Sequence, residues 1–272
     1  MVTTTSFVAA AARPSALSSE PGLRAVIFDV DGTLVDSERD GHRVAFNRSF
    51  EEFGLPYRWS VEEYGELLHV TGGQRRINAY LEAKGIDRAE RERLVPELHA
   101  RKTEIIATMV DEGRVQVRAG APRLLDELTR AGVRLAVATT GSRGWVDRLL
   151  RRLLPDTEFD VVVTGDEVAH RKPDPEAFLV ALDRLETGPA HAVAVEDSGE
   201  GLRAAQGAGL RCAVVVNDYT AGHDLAGAEL VLTGFGAPSS PAEVVAGAAA
   251  TGCEGILDVA TLESLVTLEL GD

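Results

Sequence analysis

Solid apolar runs alternate with longer amphipathic stretches along most of this chain, and that alternation sets the expected fold. The first run, Leu23 and Ala25 to Phe28, is partly β-branched and reads as a buried strand. From residue 113 the pattern repeats. A helix over 121–131 leads to a strand over 134–138, and a helix over 143–152 to a strand over 160–163. Helices over 175–185 and 200–208 precede and follow a strand over 191–195; strands over 211–216 and 229–232 complete the series. This predicts an α/β fold: a Rossmann-like, doubly wound parallel sheet with helices on both faces. Right-handed crossovers then bring the strand ends to one common edge.

The stretch between the first strand and residue 113 has a different period. Helical patterns run over 38–53, 61–68, 74–84 and 90–111, the last placing Leu94, Leu98, Ile105 and Met109 close to one face. No strand reads there. Residues 37–112 are therefore predicted to form an inserted α-helical cap domain, hinged at 35–37 and 112–115, on a core made of 23–36 and 113–234. A linker-like Gly-Phe-Gly-Ala-Pro-Ser-Ser-Pro opens a C-terminal tail, 235–272, with helical patterns over 242–250 and 258–266. Residues 1–22, rich in Ala, Ser and Thr, read as a disordered N-terminal extension; a remnant transit peptide has the same composition.

Length and charge narrow the function. At 272 residues the chain can bury a substantial core. Its net charge of −15 argues against nucleic acid or an anionic membrane as partner. No apolar stretch approaches the roughly 18 residues of a membrane span. Cys212 and Cys253 lack C-x-x-C spacing, which suits reduced thiols in the cytoplasm, or in a plastid stroma if 1–22 is a transit peptide.

The candidate chemistry follows the strands. Asp29 and Asp31 end the first, on one face of an extended segment, and Gly32-Thr33 turns the chain. Thr139, Thr140, Gly141 and Ser142 end the strand over 134–138, where a hydroxyl and free N–H groups at a helix start suit a phosphate oxygen or simply cap the helix. Lys172 precedes Pro173-Asp174-Pro175, a helix start. Glu196 and Asp197 end the strand over 191–195. Two acidic pairs at one edge would repel, so a bound cation is the economical reading, and Mg²⁺ favours carboxylates together with phosphate and water.

Asp29-Val-Asp31-Gly-Thr, Thr139, Lys172-Pro and Glu196-Asp197, with a helical insert directly after the first motif, resemble the haloacid dehalogenase superfamily with a C1 cap. Glu38-Arg39-Asp40-Gly41-His42-Arg43, Val70-Thr71-Gly72-Gly73, Ser142-Arg143 and Gly201-Leu202-Arg203 further resemble its CbbY-type xylulose-1,5-bisphosphate phosphatases, close to β-phosphoglucomutases. The resemblance implies a Mg²⁺-dependent phosphatase acting on a small phosphorylated sugar, as a monomer. It implies Asp29 as nucleophile and Asp31 as acid and base, with Thr139 and Lys172 on the phosphoryl oxygens. Asp29, the Asp31 carbonyl, Asp197 and Glu196 would hold the metal. Glu38, His42, Arg43, Arg75 and Arg76 from the cap, and Thr140, Ser142 and Arg143 from the core, would bind substrate. Two departures stand out: Gln74 where bisphosphatases often carry Lys, and Gly41 where many β-phosphoglucomutases carry a cap His, with His42 next. The second disfavours a mutase. Asp31 argues against a haloacid dehalogenase proper, and the complete motif set against a catalytically silent binding module.

Overall fold

The computed structural model describes residues 22–70 and 72–267; the extension expected over 1–22 lies outside them apart from Gly22. The chain enters through β1 (Ala25–Phe28), makes a tight turn to β2 (Val35–Asp36) and leaves the sheet. A π-helical turn, Glu38–His42, then leads into α1 (Arg43–Glu52), α2 (Val61–Leu67), α3 (Gly73–Ala83) and α4 (Arg88–Asp111). The return passes through β3 (Gln116–Val117). Next come α5 (Ala121–Arg130), β4 (Arg134–Ala138), α6 (Arg143–Leu153), β5 (Val161–Val163), α7 (Glu176–Arg184) and β6 (Ala192–Glu196). The chain closes with α8 (Gly199–Gly207), β7 (Arg211–Val215), β8 (Leu230–Leu232), β9 (Val244–Ala246), α9 (Ala248–Thr251) and α10 (Val259–Thr267).

The sheet has seven strands in the order β5-β4-β1-β6-β7-β8-β9, parallel except for β9. Side chains of β1 alternate between the two cores: Val26 and Phe28 join one apolar cluster, Ala25 and Ile27 the other. Burial on both faces explains why the strand reads as an unbroken apolar run. Register then places the chemistry. Phe28 pairs with Val195 on one side and Val137 on the other, so Asp29, Glu196 and Thr139 emerge side by side at the carboxyl edge.

The helical lobe has its own core of Phe46, Phe50, Trp59, Tyr64, Ile77, Leu81 and Leu98. The first crossing pairs with residues just beyond the second expected hinge at 112–115: Val35 lies opposite Val117 and Asp36 opposite Gln116. Just beyond, Arg118 donates to the carbonyls of Gly32, Val215 and Val216 at 2.6–2.7 Å, tying the turn after β1 to the end of β7.

The tail departs from expectation. The helix expected over 242–250 is instead β9, antiparallel to β8, followed by the single turn α9. Gly247 separates them at φ 88°, and a Cβ there would fall 2.1 Å from the Glu229 carbonyl oxygen. The linker-like stretch is no linker, because Phe235 is fully buried. α10 forms where its pattern predicts, and Leu257, Leu262 and Leu265 complete the core beside β6 and β7.

Candidate active site

Asp29, Glu196 and Asp197 are all buried, and each offers a carboxylate oxygen within 4.8 Å of the others. The Lys172 ammonium donates to Asp29 Oδ1 at 2.7 Å and to Glu196 Oε1 at 2.5 Å. One cation does not balance these acids. Burial, with Glu196 adding to it against the pull of Lys172, pushes the Asp29 carboxyl up to about 7. Burial and the neighbouring Glu196 and Asp29 charges also hold Asp197 well above the usual carboxylate range, although Asn217 Nδ2 donates to it at 2.7 Å. A cluster of hard oxygen donors short of positive charge fits a divalent cation.

Two glycines make this approach possible. At Gly32, φ 92°, a Cβ would lie 2.4 Å from Asp197 Oδ2. At Gly201, in the first turn of α8, it would lie 1.9–2.1 Å from the Glu196 carboxyl group, which also accepts from the Asp197 N–H at 3.1 Å. Gly201→Ala is therefore expected to displace Glu196 and weaken binding of a divalent cation in the cluster roughly ten-fold, the effect of losing an orienting partner at a metal site. Calorimetric titration of the protein with Mg²⁺ measures this, with an unchanged affinity as the contrary result.

Asp31 lines the same cavity. It accepts from Ser37 Oγ at 2.5 Å and from Trp145 Nε1 at 3.1 and 3.2 Å, with His42 Nε2 3.4 Å away. Burial would raise its pKa, but these donors and the His42 charge hold it below the ordinary value. Thr139 is buried beside Asp29, its hydroxyl accepting from the Gly141 N–H at 3.2 Å. Thr140 and Ser142 line the cavity, and Ser142 begins α6 without a side-chain capping bond.

The cavity, about 600 Å³, lies between the sheet edge and the helical lobe. Glu38, His42 and Arg76 line it from the lobe. Glu38 accepts from Tyr64 Oη at 2.5 Å, and Arg76, buried over the Tyr64 ring, donates to Tyr64 Oη and the Leu67 carbonyl. The π turn is closed by the His42 N–H on the Ser37 carbonyl at 2.6 Å, and the His42 ring stands 3.4 Å from Asp31. Three residues expected to bind substrate are not among those lining the cavity. Arg43 braces the lobe through the Trp59 carbonyl, and Arg75 projects from the exposed face of α3. Arg143 is turned back on Glu167, Asp147 and the Val162 carbonyl.

Sequence reasoning missed Lys102, His99, Trp145 and Asn217. Lys102 had a legible signal: it continues the buried stripe of Leu98, Ile105 and Met109 on α4, where a lysine is anomalous. Its ammonium lies 2.8 Å from His42 Nδ1, and burial pulls it down to about 8 against the attraction of Glu38 and Asp31. His99, half-buried near Lys102 and His42, is pulled down to about 4 by burial and by those charges.

Comparison with known proteins agrees with this geometry. The family model for haloacid dehalogenase-like hydrolases matches residues 23–209. Protein CbbY of Cereibacter sphaeroides is 44% identical over 216 residues, covering 78% of this chain and 93% of its own. The crystal structure of a CbbY mutant from Rhodobacter sphaeroides in complex with xylulose-(1,5)bisphosphate superposes with a TM-score of 0.71 at 43% identity, covering 78% of this chain and 94% of that one. A putative β-phosphoglucomutase structure from Thermotoga maritima gives a TM-score of 0.62 at 31% identity, covering 76% and 92%.

Proposed function

This chain belongs to the haloacid dehalogenase-like hydrolase family, and on that premise we propose that its phosphatase site removes the 1-phosphate of xylulose 1,5-bisphosphate, a Rubisco inhibitor, with Mg²⁺ as cofactor. The observation that carries the reading is the convergence of Asp29, Glu196, Asp197 and Lys172 at one sheet edge, with Asp31 lining the same cavity. Bound Mg²⁺ would neutralise phosphoryl oxygens and the acids that hold it: the carboxylates of Asp29 and Asp197, the Asp31 carbonyl, and Glu196 directly or through water.

The chain's own groups divide the remaining work. An Asp29 carboxylate oxygen bonds phosphorus as the bond to the sugar oxygen breaks, giving an aspartyl-phosphate. Asp31 donates a proton to the departing sugar oxygen. Water then attacks phosphorus, Asp31 takes the water's proton, and the bond to Asp29 breaks. Lys172 and Thr139 hold the phosphoryl oxygens, so positioning and charge stabilisation supply most of the acceleration. Arg76 and Lys102 put positive charge on the lobe wall, where the second phosphate of a bisphosphate would be neutralised.

Purified protein with Mg²⁺ is expected to release phosphate from xylulose 1,5-bisphosphate with kcat/KM at least ~100-fold above that for sugar monophosphates, about 2.7 kcal/mol of discrimination. Equal turnover of monophosphates defeats the specific assignment. The likeness to a putative β-phosphoglucomutase structure supports a second reading, a β-phosphoglucomutase-type phosphomutase. That reading predicts glucose 6-phosphate from β-glucose 1-phosphate, dependent on a bisphosphate activator, with little net phosphate.

A further inference from the structure

The two carboxylate oxygens of Asp31 are not equivalent. Oδ1 accepts from Ser37 Oγ at 2.5 Å and Trp145 Nε1 at 3.2 Å, and faces His42 Nε2 at 3.4 Å. Among the described residues Oδ2 accepts from the same indole N–H alone, at 3.1 Å. A carboxylate oxygen has two lone pairs, so Oδ1 is fully engaged while Oδ2 keeps one open.

Trp145 comes from the first turn of α6, whereas Ser37 and His42 flank the π turn that opens the lobe. Its ring is only 9% exposed and lies against His42, centroids 5.1 Å apart. Gly141 leaves room for it, since a Cβ there would stand 3.3 Å from the indole Cδ1. The indole is thus held by core, lobe and turn together. An indole N–H is a donor only and exchanges no proton with a carboxylate, whereas a hydroxyl or imidazole in its place would compete for that proton.

We propose that Trp145 is a positioning residue for Asp31, its shared N–H fixing the carboxylate so that Oδ2 is the oxygen that gives and takes the proton. With Oδ2 protonated, the indole hydrogen rests on Oδ1. The proton passes to the sugar oxygen as its bond to phosphorus breaks, and the indole hydrogen is then shared by both oxygens. In the second half, Oδ2 recovers a proton from the water whose oxygen bonds phosphorus as the Asp29–phosphorus bond breaks. The proposal rests on the acid–base role given to Asp31 above.

The test compares leaving groups. Sugar alkoxides need a proton to depart, whereas p-nitrophenolate leaves without one. Trp145→Phe keeps a flat ring and removes the donor. Single-turnover phosphoryl transfer from xylulose 1,5-bisphosphate should fall about ten-fold more than the p-nitrophenol burst from p-nitrophenyl phosphate, with KM within about two-fold, as loss of an orienting hydrogen bond in the transition state requires. Equal losses on both substrates, no loss on either, or a change confined to KM overturns the proposal. A wild type that releases phosphate from neither substrate removes the phosphatase reading itself, which is a separate failure. Should Trp145→Phe not fold, ¹⁵N-tryptophan spectra decide. The chain has two tryptophans, and Asp31→Asn should move the indole resonance of Trp145 and leave that of Trp59 in place. An unmoved Trp145 resonance overturns the proposal.

Discussion

Asp29→Asn should turn over xylulose 1,5-bisphosphate roughly 10,000-fold more slowly than the wild type, because the amide oxygen forms no stable bond to phosphorus. The same variant should melt higher in EDTA. Asp29 is buried among Glu196 and Asp197, its carboxylate accepting from Lys172, and burial already resists its ionisation, pushing its pKa up to about 7. Removing one charge from that cluster relieves repulsion at the cost of chemistry, the trade expected where a site is strained for function. Calorimetric melting beside a phosphate-release assay measures both effects. An Asp29→Asn variant that releases phosphate at the wild-type rate would defeat the nucleophile assignment.

Lys172→Met should do the reverse on stability. Lys172 is buried, bonded to both Asp29 and Glu196, and its ammonium is held well above the usual lysine range by those two charges despite its burial. Losing it strands two buried carboxylates, a change that costs about 3–5 kcal/mol when one partner of a buried pair is removed. In a chain of this size that lowers the melting temperature by roughly 10 °C. The drop should be larger in EDTA than in Mg²⁺, since a cation in the acid cluster replaces part of the missing charge. Turnover should fall about 100- to 1,000-fold, the loss of one charged stabiliser of a transferring phosphoryl group. A variant as stable as the wild type in EDTA would mean that Lys172 does not neutralise the acids.

The sheet and its catalytic edge were legible because their signals are local. A strand buried on both faces reads as an apolar run, and Asp29, Thr139 and Glu196 stand directly beyond such runs, so topology alone gathers them. Side-chain direction on helices was harder to read. Arg75 and Arg76 are neighbours in sequence, yet only Arg76 is buried toward the cavity, because adjacent residues on a helix point about 100° apart. Arg143 fails similarly: Asp147 lies one helical turn further along α6, and with Glu167 it draws the guanidinium away. Lys102 and Trp145 were passed over as ordinary members of helix faces. The tail was misread because its Ala, Gly and Val residues fit helix and strand alike; β9 is settled by pairing with β8, a contact no local pattern carries.

The most direct measurement is acid-quenched mass spectrometry of the peptide containing Asp29, taken during turnover of xylulose 1,5-bisphosphate. The account expects a phosphoryl group on Asp29 that accumulates with Mg²⁺ and is absent in EDTA. Phosphate released at full rate with Asp29 unmodified, or with the adduct on another residue, would contradict it.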